Sequence, residues 1–194
     1  MRSSSAPNGA RASLPARHPT NMSTLRAIKG WHGRGYLPHF DAGTIPQFVT
    51  FRLEDSLPRQ RLLDWAKELL LLPEAERDAE YRARIESYLD RGEGIACLKV
   101  PAAECVQDTL LHFDGDRYDL VAWVVMPNHA HALFAPRTGW SLSSLLHSWK
   151  SFTSSEVNRL LHRKGRLWQP DYYDRYIRDH HDFEETIDYI EQTP

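Results

Sequence analysis

The chain has 194 residues, 41% of them apolar and 11% aromatic, which suffices for one buried core and not for two. No run approaches the roughly 20 uninterrupted apolar residues of a membrane helix, the longest candidate being Leu69–Leu72, so no membrane partner is expected. The formal net charge of −2 gives no global signal for a polyanion, but Lys150, Arg159, Arg163, Lys164, Arg166, Arg175 and Arg178 face only Glu156, Asp171 and Asp174 within their stretch, whereas Glu54–Glu93 is acid-rich.

Residues 1–24, rich in Ser, Ala, Pro, Asn and Arg and without an apolar h-region, read as a flexible tail rather than a secretory signal, with Met22 a candidate start. One domain, residues 25–194, is expected after it. Gly33, Gly35 and Pro38 among Trp31, Tyr36 and Phe40 predict an ordered loop over 30–43. Gln47–Leu53 alternates polar and apolar β-formers, a first strand. Pro58 precedes a helix over 60–72; Pro73, Glu74 and Glu76 open a second, running to about Asp90 and closed by Gly92 and Gly94, so 58–92 is a charged helical segment within the domain.

Cys97 and Cys105 have no second pair to complete a zinc cage and are read as small buried apolar residues, kept reduced in a cytosolic chain. Pro101 starts a helix with Val106, Leu110 and Phe113 in register, ended by Gly115. Tyr118–Met126 is a nearly continuous apolar run, as a central strand buried on both faces would be. Pro127-Asn128 makes a tight turn into a partner strand over His129–Ala135. A long amphipathic helix (Ser141–Leu161), an aromatic extended stretch (Leu167–Ile177) and a last helix from Asp182 with Phe183, Ile187 and Ile190 on its apolar face complete the chain. The order fits an α+β ferredoxin-like sandwich, a central antiparallel sheet with helices on one face.

Three groups of residues could carry chemistry. The two-residue period of a strand sends His129 and His131 to one face, where two imidazoles can chelate one metal ion, although a His-x-His in a strand is more often incidental. A zinc hydrolase built on this pair lacks an obvious set of further ligands. Trp168–Arg178 interleaves aromatic rings with cations, which suits base stacking and phosphate pairing and equally suits an aromatic strand against a core. Tyr189 lies beside Ile187 and Ile190 and reads as a core or boundary tyrosine unless a cation stands near its phenol.

Taken together, Trp-Val-Val-Met-Pro-Asn-His-Ala-His at 123–131, Trp-Gln-Pro and Tyr-Tyr-Asp-Arg after a helix, and Ile-Asp-Tyr-Ile at 187–190 resemble the REP-associated tyrosine transposases of the HUH superfamily, across about Gln47 to Pro194. The resemblance implies an HUH catalytic domain in which His129 and His131 hold Mg²⁺ or Mn²⁺ and Tyr189 on the last helix is the nucleophile, joined to a 5′ phosphate. It implies a single-stranded or hairpin DNA partner, met by Lys150, Arg163, Lys164, Arg166, Tyr172, Arg175 and Arg178, a candidate homodimer, and a bacterial cytoplasmic, nucleoid-associated location. The region of Trp31 to Tyr36 with His39 resembles N-terminal regions of some relatives, where Arg34 and the aromatics are candidate DNA contacts. The family commonly places an Asn or Gln one helical turn after the tyrosine as third ligand; here that position is Thr193, and Gln192 is the candidate in its stead. Family members usually continue past the point where this chain stops, Pro194. Beside the transposase stands a second reading, a domesticated DNA-binding protein of the same fold without cleavage.

Overall fold

A computed structural model of the chain describes the backbone of residues 10–11, 30–34, 37–41, 43–92 and 96–193, with side chains from 43 onward except 75, 78 and 82. The expected tail over 1–24 lies outside the described residues apart from Ala10–Arg11, a two-residue strand β1. In place of the expected loop over 30–43, strands β2 (Gly30–Arg34) and β3 (Leu37–Asp41) pair antiparallel, so Gly33 and Pro38 sit within a small ribbon. The side chains of Arg34 and the aromatics there lie outside what is described.

The main sheet is built from β4 (Gln47–Arg52), β5 (Tyr118–Val125), β6 (His129–Pro136) and β7 (Tyr173–Tyr176), all antiparallel, with β1 added at one edge in the order β1-β5-β6-β4-β7. Without β1, and numbered along the chain, the four strands read 4-1-3-2 from the β7 edge, the ferredoxin-like order that the element pattern implied. The alternating stretch forms β4 as expected, and all six of its residues are buried, because β6 and β7 flank it and both of its faces are covered. The expected strand over 167–177 shortens to β7; Trp168 makes only an isolated bridge to Leu53, and Pro170 prevents a continuous ladder.

Helices α1 (Arg59–Leu69) and α2 (Glu74–Asp90) form the charged segment, closed over their own small cluster of Leu57, Ile85, Tyr88 and Leu89. Helices α3 (Ala102–His112) and α4 (Leu142–Leu160) cover one sheet face. Ser141 caps α4 by accepting from Ser144 N at 3.2 Å, satisfying one of the free amides of the first turn. The core there is aromatic: Trp149 packs edge-on against Tyr118 and Phe134 and donates Nε1–H to the Tyr118 hydroxyl at 3.1 Å, so the polar atoms of both large side chains are satisfied inside. Helix α5 (His180–Gln192) lies on the opposite face against Phe48, Val124 and Leu133, so the sandwich has one full helical layer and one helix over the other face. Among the described residues no helix is long and apolar enough to cross a membrane.

Cys97 and Cys105 depart from the expectation of burial: both are only half-buried, and Cys97 Sγ receives Arg163 Nη1 at 3.1 Å.

Candidate active site

The sheet face beneath α5 carries the chemistry because of register. In β6, Ala130 and Ala132 point into the α3–α4 core, and His129 and His131 therefore leave by the other face. Opposite them on β4 stand Arg52 and Thr50. Both imidazoles are fully buried, with Nε2 atoms 3.0 Å apart and rings at 76°.

Their second nitrogens are held. Asn128 Oδ1, which can only accept, lies 2.7 Å from His129 Nδ1; that nitrogen therefore carries the proton and leaves a lone pair on Nε2. The same amide donates through Nδ2 to Leu89 O at 3.2 Å and so fastens the end of α2 beside the histidines. His131 Nδ1 is 2.8 Å from Thr50 Oγ1, a hydroxyl able to donate or accept, which lets His131 adopt either tautomer. Burial first, and then the Arg52 charge, hold the His129 pKa down to about 3; burial and the neighbouring His129 push His131 well below the ordinary value. Both rings stay neutral at physiological pH, the form that ligates a metal.

The end of α2 supplies what the sequence pattern did not reveal. Asp90 Oδ1 is 3.8 Å from His129 Nε2, and a donor atom from each of Asp90, His129 and His131 lies within 4.8 Å of the other two. Donors about 2.1 Å from one ion stand about 3 Å apart, so the set is slightly wide of a closed site. Asp90 Oδ1 is also buried without a hydrogen-bond partner, and burial raises its pKa. Two lone-pair nitrogens and an unsolvated carboxylate oxygen fit a small divalent cation. Gln192, the candidate third ligand from sequence, is exposed at the end of α5, while Thr193 is turned inward and donates to Tyr189 O at 2.7 Å, capping the helix.

Helix α5 brings Tyr189 to the pair. Asp179 caps its start by accepting from Asp182 N at 2.9 Å, and Phe183, Thr186 and Ile190 form its buried stripe. Tyr189 Oη lies 3.3 Å from His131 Nε2, and Phe48 backs both rings, stacked on His131 at 5.2 Å and edge-on to Tyr189 at 6.0 Å. Burial first, then Glu86 and Asp90, push the Tyr189 phenol far above its ordinary range.

The basic strip divides. Arg175 is bound to Asp182 and Thr186, each at 2.5 Å, with its guanidinium 5.3 Å from the Phe48 ring centre, and Arg178 Nε reaches Asp182 at 3.3 Å; the pair ties β7 to the first turn of α5, which its place in a cationic run did not reveal. Arg163 is engaged with Cys97. Lys150 donates to Pro170 O at 2.8 Å beside the buried Tyr172 ring, and burial, against the pull of Asp171, brings its pKa down to about 8. Lys164 and Arg166 are exposed, the latter 3.3 Å from Glu54. Lys150, Arg166, His147, Ser143, Ser154 and Asp171 line an open groove of about 570 Å³ between α4 and the segment before β7.

A family model described as transposase IS200 like matches residues 105–193. No curated protein sequence matches the chain. Similar solved structures include a REP-associated tyrosine transposase bound to a REP hairpin, at 19% identity over 82% of this chain and 68% of that one with a TM-score of 0.47. Another is a candidate transposase from Deinococcus radiodurans R1, at 16% identity over 84% and 96% of the two chains with a TM-score of 0.43. The residues matched by that family model include His129, His131 and Tyr189.

Proposed function

We propose that the chain is a single-tyrosine, metal-dependent transposase that cuts and rejoins single-stranded, hairpin-forming DNA. The observation that carries this is the approach of the Tyr189 hydroxyl to within 3.3 Å of His131 Nε2, at the edge of a cluster of two buried neutral imidazoles and one carboxylate with a buried, unpartnered oxygen. His129, His131 and Asp90 would hold Mg²⁺ or Mn²⁺, Asp90 taking the third place instead of Gln192. Bound there, the ion supplies positive charge for the scissile phosphate and the developing oxyanion.

Tyr189 forms the new O–P bond and the 3′ oxygen departs with a proton, leaving a 5′-phosphotyrosine; the reverse step joins the same phosphate to another 3′ hydroxyl without water or nucleotide. A half-buried phenol whose pKa is raised by burial first, and then by the charges of Glu86 and Asp90, is a poor nucleophile until positive charge stands near it, which supports a requirement for the ion. Thr50 and Asn128 orient the imidazoles, and Phe48 fixes the ring of Tyr189 against them. The groove along α4 is where the rest of the strand would lie, with Lys150 and Arg166 near its phosphates.

Incubation with a labelled hairpin oligonucleotide and Mn²⁺ should give a denaturation-resistant adduct that maps to Tyr189 and is lost with chelator. An adduct at Tyr172, Tyr173 or Tyr176, or full cleavage in excess chelator, would overturn the reading. Tight DNA binding with no adduct under any metal would favour the domesticated binding protein, for which Thr193 at the usual third-ligand position is the supporting observation.

A further inference from the structure

Arg52 ends β4 directly opposite His129, so its side chain leaves the sheet on the face of the histidine pair. Only 3% of the residue is exposed. Its Nε is buried with no partner, and the guanidinium makes no hydrogen bond or ion pair with any described residue. Other arginines in the protein behave differently: Arg84 is joined to Glu68 and Glu80, Arg137 to Asp119, and Arg175 to Asp182. Asp171 and Tyr81 act on Arg52 through space without closing a bridge.

An unpaired buried cation is unfavourable, and a fold keeps one where an anion arrives to complete it. The planar fork of a guanidinium matches two oxygens of one phosphate, and a group set in a wall of buried side chains holds that fork in place. Arg52 is within charge-to-charge reach of His129 and also of Lys150, which lines the groove along α4. The position therefore lies close to the reacting groups and to the path by which a strand would reach them.

We propose that Arg52 is a phosphate-binding residue, holding a phosphodiester of single-stranded DNA beside His129. This rests on the transposase reading for the identity of the anion, and on the buried, unpartnered guanidinium for the site itself.

The test compares the full chain with Arg52→Met, in chelator so that binding is separated from cleavage. One arm measures affinity for a single-stranded oligonucleotide across a salt series; the other measures melting temperature in sodium phosphate against sodium chloride at equal ionic strength. Arg52→Met should melt no lower than wild type in chloride, should lose the rise that phosphate gives, and should bind the oligonucleotide about tenfold more weakly. The slope of log affinity against log salt should shrink by about 0.7, the loss of one single-strand phosphate contact. If Arg52→Met does not fold, Arg52→Gln, neutral and still able to hydrogen-bond, carries the same comparison. An Arg52-dependent phosphate response in a chain that binds no oligonucleotide would keep the anion site and break the DNA reading. Wild-type affinity, slope and phosphate response in the neutral variant would overturn the proposal and leave the transposase reading standing.

Discussion

The two faces of one sheet are made by alternate residues of the same strands and differ in almost every physical property. On β4, Val49 and Phe51, with Leu53 just past its end, enter the α3–α4 core, and Phe48, Thr50 and Arg52 face the other way; on β6, Ala130, Ala132 and Phe134 oppose His129, His131 and Leu133. The first face is apolar and aromatic; the indole N–H groups of Trp149 and Trp168 are paired inside it, and the Trp123 Nε1 is buried there without a partner among the described residues. The second is equally buried but holds two neutral imidazoles, an orphaned guanidinium nitrogen and an orphaned carboxylate oxygen. Apolar burial stabilises, whereas buried polar groups without partners cost stability and persist where a ligand completes them. One face should therefore carry the fold and the other the reaction, and substitutions should separate the two.

The largest effect expected is on the polar face. Tyr189→Phe removes one oxygen and keeps the ring that Phe48 supports, so single-strand cleavage and adduct formation should fall by at least about a thousandfold, as when other nucleophiles are removed. Stability should change by about 1 kcal/mol or less, the worth of one long hydrogen bond. A thermal melt beside a cleavage assay checks both, and parallel losses would collapse the distinction between the faces.

Trp149→Ala is the opposite experiment. This side chain is 1% exposed, touches Tyr118, Phe51 and Phe134, and shares its indole proton with Tyr118, so its loss should destabilise by about 3–5 kcal/mol in denaturant titrations. Metal affinity of the fraction still folded should stay near wild type.

Between these lies Asp90→Asn, which keeps the shape of the side chain while removing its charge. Mn²⁺ affinity measured by calorimetry should fall by about 10- to 100-fold, whereas Gln192→Ala, at an exposed position, should leave it unchanged. The reverse result would restore the third-ligand role to Gln192.

The buried histidines also set an acid limit. Their folded-state pKa values lie below the ordinary 6.5, so the unfolded chain takes up protons that the native one refuses. Their contribution is fully present above about pH 6.5 and is lost as pH falls, for His129 down to about 3, by up to about 1.4 kcal/mol per pH unit for each ring. His129→Ala and His131→Ala should each flatten the slope of stability against pH in that window, whatever the cavity does to its absolute level.

The difference between the faces was partly legible in the sequence. A two-residue period and a Pro-Asn turn are local, so the β5–β6 pair and the shared face of His129 and His131 followed from spacing alone. Tyr189 read locally as a packing residue, and only the resemblance separated it from the other tyrosines. Asp90 was hidden because it belongs to an acid-rich helix, and nothing local distinguishes the one carboxylate that Asn128 brings to the site by anchoring Leu89 O. Arg52 was hidden as an ordinary polar residue of an alternating strand, since burial of β4 on both faces depends on its neighbours.

The smallest effects concern the basic strip, where the sequence shows cations but not their partners. Arg175 is committed to Asp182 and Thr186 and lies against Phe48, with its side chain 24% exposed, whereas Lys164 is exposed and, among the described residues, meets no carboxylate. Arg175→Ala leaves the nearly buried Asp182 with only the exposed Arg178 beside it, so it should lower stability, by about 1–3 kcal/mol, through loosening of α5. Its effect on oligonucleotide affinity, measured in chelator well below the melting temperature, should be slight and should not alter the salt slope. Lys164→Ala should do the reverse: no change in melting, a two- to threefold loss of affinity, and a salt slope smaller by up to about 0.7 if that ammonium meets a phosphate. An Arg175→Ala variant that keeps its melting temperature but loses salt-dependent affinity would return Arg175 to the DNA surface and show that its pairing with Asp182 gives way when the strand binds.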